Sequence, residues 1–186
     1  EARVTAQIVP RAFRSEHPVA STFDFASGDA PAALPVAQSV GRVGANGELA
    51  QRFRLPDDLG VQIVAGTLQV EGAVRDDRGK YVAGAASADF VAVDRLVGLK
   101  STRWVYAQGQ PASVQYLVVD GRGNPAAGTD VHVRVERLET KAARVRGAGN
   151  AYLTQYTDEW VAAGSCDGRS TAAPLDCAFT PSAPGS

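Results

Sequence analysis

Methionine is absent from this chain of 186 residues, and cysteine, histidine and tryptophan occur twice each. These scarcities exclude much. His17 has no nearby cysteine or carboxylate at a spacing that resembles a metal site, and His132, alternating with Val131 and Val133, reads as a solvent-facing or edge-packed strand residue, so neither a metal site nor a catalytic imidazole is expected. Cys166 and Cys177 are separated by ten residues (177 − 166 − 1), not the two to four of a zinc pair, and no second pair follows. Gly121-Arg122-Gly123 lacks the Gly-Lys-Ser/Thr that completes a phosphate loop, and no Gly-x-Ser-x-Gly elbow occurs. The acidic pairs Asp57-Asp58 and Asp76-Asp77 sit in turns, where aspartate hydrogen-bonds its own backbone, and Arg78 interrupts the second as a calcium loop. The formal net charge is −1, with both signs interspersed and no basic stripe, which argues against a nucleic-acid partner. No apolar run approaches ~18 residues, so no membrane span is expected, and the first residues do not read as a secretion signal. No catalytic residue, cofactor or metal is assigned, and the chain is not read as an enzyme.

What is present is strand chemistry. Hydrophobic residues make up 45% of the chain, enough for a packed core. Periodicity of two dominates, and capped Leu/Glu/Lys stretches are missing. Strands are predicted at 4–9, 22–25, 49–55, 66–75 and 85–93, with a loop and one strand somewhere in 27–46. Further strands follow at 102–107, 112–119, 129–138, 151–162 and 175–180, with a turn at Gly147 to Asn150. The motif Asp-x-Arg-Gly-x-x-x-Ala-Gly occurs twice, from Asp76 to Gly84 and from Asp120 to Gly128, an offset of 44 residues (120 − 76). Both copies read as hairpin turns, the second joining 112–119 to 129–138. The length suits two tandem sandwiches of roughly 90 residues each, divided as 1–94 and 95–186, the second truncated before its last strand. The Val93-to-Leu96 passage leaves no linker between them, and the whole reads as a piece of a longer protein.

Three groups of residues stand out as site candidates. Cys166 and Cys177 flank a loop-rich segment that could bring the thiols together as a disulfide, which would place the protein in an oxidising compartment; two free buried cysteines are the other reading. Lys141, Arg144 and Arg146 form a basic, small-residue stretch before Gly147. It is either a protease-accessible loop or a solvated strand edge protected by charge. Trp104, Tyr106, Tyr116 and Trp160 could form a sugar platform, or be ordinary core.

From Phe90-Val91-Ala92-Val93-Asp94-Arg95-Leu96-Val97-Gly98-Leu99-Lys100 onward, the chain resembles the bacterial α2-macroglobulin family. The likeness runs through Trp104, Val118 to Pro125, Val131 to Arg137 and the cysteine pair, to Cys177-Ala178-Phe179-Thr180-Pro181 and Pro184-Gly185. Gly66 to Val70 and Val74-Arg75-Asp76 resemble the end of a preceding module. The resemblance implies an all-β chain of two tandem immunoglobulin- or fibronectin-III-like sandwiches, the macroglobulin (MG) domains. It implies a periplasmic parent, free or membrane-anchored, that inhibits endopeptidases by bait cleavage and entrapment. Partners would be proteases and neighbouring MG domains. No Cys-x-Glu-Gln thioester motif occurs here, so this segment would be scaffold. Val-x-Asp-x-x-Gly-x-Pro-x-x-Gly also marks Ig-like repeats of bacterial adhesins and cell-surface arrays, the alternative reading.

Overall fold

The structure, a computed structural model, describes residues 1–25, 32–59, 63–146 and 152–183. It divides into two compact units. The first comprises Glu1–His17, Asp24–Leu96 and Asp120–Asn124, the second Pro18–Phe23, Val97–Val119 and Pro125–Ser186.

The first unit holds one antiparallel sheet, in the order β2-β1-β3-β4, from β1 (Ala2–Pro10), β2 (Leu34–Gly41), β3 (Ala65–Arg75) and β4 (Tyr81–Val91). Register follows the hydrophobic pattern. Ile8 sits opposite Leu68 and Leu34, and Gly66 opposite Phe90, so these apolar residues share a face. Ile8, Leu59 and Ile63 are buried there, with Leu34, Val36, Leu68, Phe90 and Ala92 packed around them. The opposite face carries Gln7, Thr67, Gln69 and Asp89; Thr67 and Arg11 both hydrogen-bond the Asp89 carboxylate. The Thr67 hydroxyl first, and the Arg11 guanidinium after it, hold that carboxyl below its usual range.

The second unit has two layers. One is a sheet in the order β5-β6-β9, from β5 (Arg95–Ser101), β6 (Ala112–Asp120) and β9 (Leu175–Phe179). The other is a ribbon of β7 (Asp130–Arg146) and β8 (Tyr152–Arg169). Tyr116, Val118 and Cys177 meet Val131 and Val133 in the core, joined by Ala126, Val135, Cys166 and Leu175. The expected all-β class is the observed one.

The repeated motif builds the same turn twice. Asp76 Oδ1 accepts from the N–H groups of Arg78 and Lys80, at 2.9 and 2.7 Å; Asp120 Oδ1 accepts from those of Arg122 and Asn124, both at 2.9 Å. In each, the glycine donates to the aspartate carbonyl and adopts positive φ, 82° at Gly79 and 87° at Gly123. The Asn124 N–H chiefly, with Arg122 helping, holds the Asp120 carboxyl below its usual range.

The two copies then diverge. After the first, Tyr81 pairs with Arg75 and a full hairpin follows. After the second, Pro125 offers no N–H, only an isolated bridge to Val119 forms, and Gly128 turns at φ 87° with its N–H on Ser170. The chain thus leaves the β6 sheet for the ribbon, so the predicted hairpin between 112–119 and 129–138 is a crossover between layers. Gly123→Ala should therefore cost far more than Gly79→Ala. Both impose a left-handed alanine, about 1–2 kcal/mol. At Gly123 the new methyl would also lie 2.6 Å from the Ser15 hydroxyl, which donates to the Gly123 carbonyl, whereas Gly79 faces the flexible end of Arg75 at 3.3 Å. Comparing urea midpoints of the two variants checks this, and equal losses would contradict it.

Three predicted strands are not strands. Ala20–Thr22 forms a 3-10 turn in place of the predicted strand at 22–25. Residues 49–55 and 102–107 join no ladder: alternation alone cannot make a strand where no partner backbone is at hand. Residues 102–107 are instead fastened by Tyr106, which donates to the Ser113 carbonyl at 2.6 Å and meets the Phe179 ring edge-on. Strand β2 is the one expected within 27–46, whose first five residues lie outside the described ones, as does the predicted turn at Gly147 to Asn150.

Candidate functional site

The feature that sets this chain apart from a plain sandwich is the β7–β8 ribbon. Strand β7 has 17 residues and β8 has 18, paired from Asp130↔Arg169 to Arg146↔Tyr152. At about 3.4 Å per residue the ribbon is roughly 55 Å long, far more than a sandwich core needs. Its proximal part is buried through Val131 and Val133; from the Thr140↔Asp158 rung outward, the described residues of both strands are exposed.

Cys166 and Cys177 fix the proximal part. They form a disulfide with Cα atoms 5.6 Å apart, linking β8 of the ribbon to β9 of the other sheet. Cys177 is fully buried between Tyr116, Val118 and the ribbon valines, so the bond is part of the core.

Lys141, Arg144 and Arg146 lie on β7, opposite Thr157, Thr154 and Tyr152. Of the two readings of this stretch, the structure agrees with the solvated, charged strand and not with the loop: β8 supplies the partner backbone. Lys141 is ion-paired with Glu159. That hydrogen bond, and then the charges of Glu159 and Glu139, hold the ammonium above its usual range, while Lys141 holds the Glu159 carboxyl below its own. Glu159 contributes stability above its unfolded value and loses it as pH falls through the folded one. Lys141 contributes below its unfolded value and loses it as pH rises through the folded one. The pair therefore acts around neutrality, and being exposed it contributes little.

The remaining singled-out residues are dispersed. His132 Nδ1 lies 2.6 Å from Asp167 Oδ1 across the ribbon, an exposed cross-strand pair. Among the described residues, no three His, Cys, Asp or Glu side chains group as metal ligands. The four aromatics make no joint platform: Tyr116 is core, Tyr106 is engaged with Ser113 and Phe179, and Trp104 is wholly exposed. Trp160, however, shares a ribbon face with Tyr152 and Tyr156, a cluster the sequence analysis did not assemble. Its signal was the i, i+4, i+8 spacing of these residues, legible within the predicted strand at 151–162, where alternate positions share one face.

A disulfide-bridged pair of antiparallel layers in one unit and a four-stranded antiparallel sheet in the other make this an all-β protein of the β-sandwich class. Its fold is similar to a segment of bacterial alpha-2-macroglobulin. The native E. coli protein matches at a TM-score of 0.54 and 14% identity over 96% of this chain, and the methylamine-reacted Salmonella protein at 0.56 and 12% over 96%. The chain spans 12% and 13% of the length of those two chains. No protein-family model matches it, and no curated protein matches it in sequence. Among the described residues, no helix is long and apolar enough to cross a membrane.

Proposed function

We propose that this chain is a structural segment of a bacterial α2-macroglobulin-like protein, built of two MG-type modules divided near residues 94 and 95. It holds shape and has no catalytic residues of its own. The parent would reside in the periplasm and inhibit endopeptidases by bait cleavage and entrapment. The observation that carries this reading is the fold likeness over 96% of the chain to two bacterial alpha-2-macroglobulin structures. The Cys166–Cys177 disulfide agrees with an oxidising compartment. Rigid modules suit such a role, because a cut elsewhere in the parent must be converted into reorientation of whole bodies. The basic residues Lys141, Arg144 and Arg146 belong to this frame as a charged strand, with the bait elsewhere in the parent.

The full-length parent, incubated with a panel of endopeptidases, tests this. Compaction in small-angle scattering after a limited cut, with activity on large substrates lost and on small ones kept, is the expected result. An unchanged shape and unimpeded proteolysis would transfer the reading to a surface Ig-like array.

A further inference from the structure

The chain turns back shortly after β2, through residues 44–48, all of them exposed. The Gly44 N–H donates to the Glu48 carbonyl at 2.8 Å and the Gly47 N–H to the Gly44 carbonyl at 3.0 Å, with Gly47 at φ 80°. The Asn46 side chain lies forward along its own backbone. Its Oδ1 accepts from the Glu48 N–H at 3.2 Å, and its Nδ2 donates to Glu48 Oε2 at 2.7 Å. A side-chain oxygen held by the amide two residues on folds the carboxamide carbon back over the intervening peptide nitrogen, here that of Gly47. Of the three asparagines, Asn46 alone is followed by glycine: Asn124 precedes Pro125, which has no N–H, and Asn150 precedes Ala151.

We propose that Asn46 is a covalent modification site, which in the folded protein loses its amide by cyclising onto the Gly47 nitrogen. That nitrogen gives its proton to hydroxide and attacks Asn46 Cγ. The Glu48 N–H already on Oδ1 stays there as the oxygen takes up negative charge. Nδ2 then takes a proton from water and leaves as ammonia, closing a five-membered succinimide. Water opens the ring at the side-chain carbonyl to give aspartate, or at the main-chain carbonyl to give isoaspartate; overall one water is consumed and one ammonia released. The Gly47 N–H must first leave the Gly44 carbonyl, a single exposed bond between neutral groups and so a modest obstacle. Two features outweigh it. Nucleophile and carbon start as neighbours in a fixed pose, which removes most of the entropic cost of ring closure. The ring also has room, since a β-carbon on Gly47 would meet no atom within 4 Å. The product disturbs the turn that makes it. A carboxylate replaces the donor that Glu48 Oε2 now accepts, setting like charges together and lowering the formal net charge of −1 by one. Isoaspartate in addition routes the main chain through the former side chain, one methylene longer, so the Gly44–Glu48 closure no longer fits.

Incubation of the folded 186-residue chain in mildly alkaline buffer tests it, read by peptide mapping with mass spectrometry and by labelling with an isoaspartate-specific methyltransferase. Asn46 should convert to a mixture of isoaspartate and aspartate at least about tenfold faster than Asn124 or Asn150, the rate equivalent of about 1.4 kcal/mol in the barrier. Gly47→Ala, which crowds the attacking nitrogen, should slow the conversion by about tenfold. The same chain unfolded in guanidinium chloride is the reference in which Asn46 and Gly47 are free of the turn. An Asn46 still amidated in the folded chain once the unfolded chain has converted would overturn the proposal. So would aspartate formed without isoaspartate, which marks direct hydrolysis of the side chain rather than ring closure, or a Gly47→Ala variant that converts at the wild-type rate.

Discussion

Replacing Cys166 and Cys177 together by alanine should lower the melting temperature of the second unit by more than 10 °C. In the chain-entropy model a loop closed across a separation of 11 residues is worth about 3 kcal/mol. For a unit of this size each kcal/mol moves the midpoint by roughly 4–8 °C. Two local facts argue against a smaller value. Cys177 is fully buried, so its sulfur leaves a void against Tyr116 and Val118. The bond also ties the ribbon to the β5-β6-β9 sheet across the core, in addition to the chain segments that connect β6 to β7 and β8 to β9. Calorimetry of the variant, and of wild type with and without reductant, reads the effect. Transitions within about 2 °C of one another, well under the shift expected of one kcal/mol, would remove the bond from the account of stability.

Gly168→Ala should destabilise the same unit by about 3 kcal/mol, the upper end of what overpacking costs. A β-carbon at Gly168 would overlap the Tyr116 hydroxyl, and Tyr116 is buried in the core with little room to retreat. The glycine lies on β8 opposite Val131, so the backbone cannot withdraw without opening the ladder beside the disulfide. Tyr116→Phe removes the offending oxygen, so the double variant should regain most of the loss. A double-mutant cycle by urea unfolding measures this; a coupling of under about 0.5 kcal/mol would mean that the two residues do not oppose each other. A loss in Gly168→Ala that Tyr116→Phe leaves untouched would place the strain in the backbone.

Much of this was open to a reading of residues in order. The Asp76 and Asp120 turns were legible because every group that makes them, the aspartate oxygen, the following amides and the glycine, lies within five residues. Strand β3 was legible because Leu68, Val70 and Val74 alternate with Gln69, Glu71 and Arg75 beside such a turn. The alternation in 49–55 and 102–107 was just as regular and made no strand. Nothing local distinguishes a segment that will find a partner from one that will not. The same limit shortened β7: Glu139 to Arg146, polar and basic, suits a protease-accessible loop as well as a solvated strand edge, until β8 pairs with it to Arg146↔Tyr152.

The sequence by itself determined the turns, the all-β character and the presence of two cysteines in reach of each other, since these follow from short-range sterics and periodicity. Tertiary structure alone decided what each strand pairs with. Two copies of one motif illustrate it: the turn at Asp76 leads into a hairpin, while that at Asp120 leads away to another layer. Tertiary structure also placed Tyr152, Tyr156 and Trp160 on one open face, and Cys177 deep in the core beneath the ribbon. The physical reason is that a strand is half of an interaction: its hydrogen bonds and its buried face are completed by residues distant in the chain, so its fate is settled only when those residues arrive.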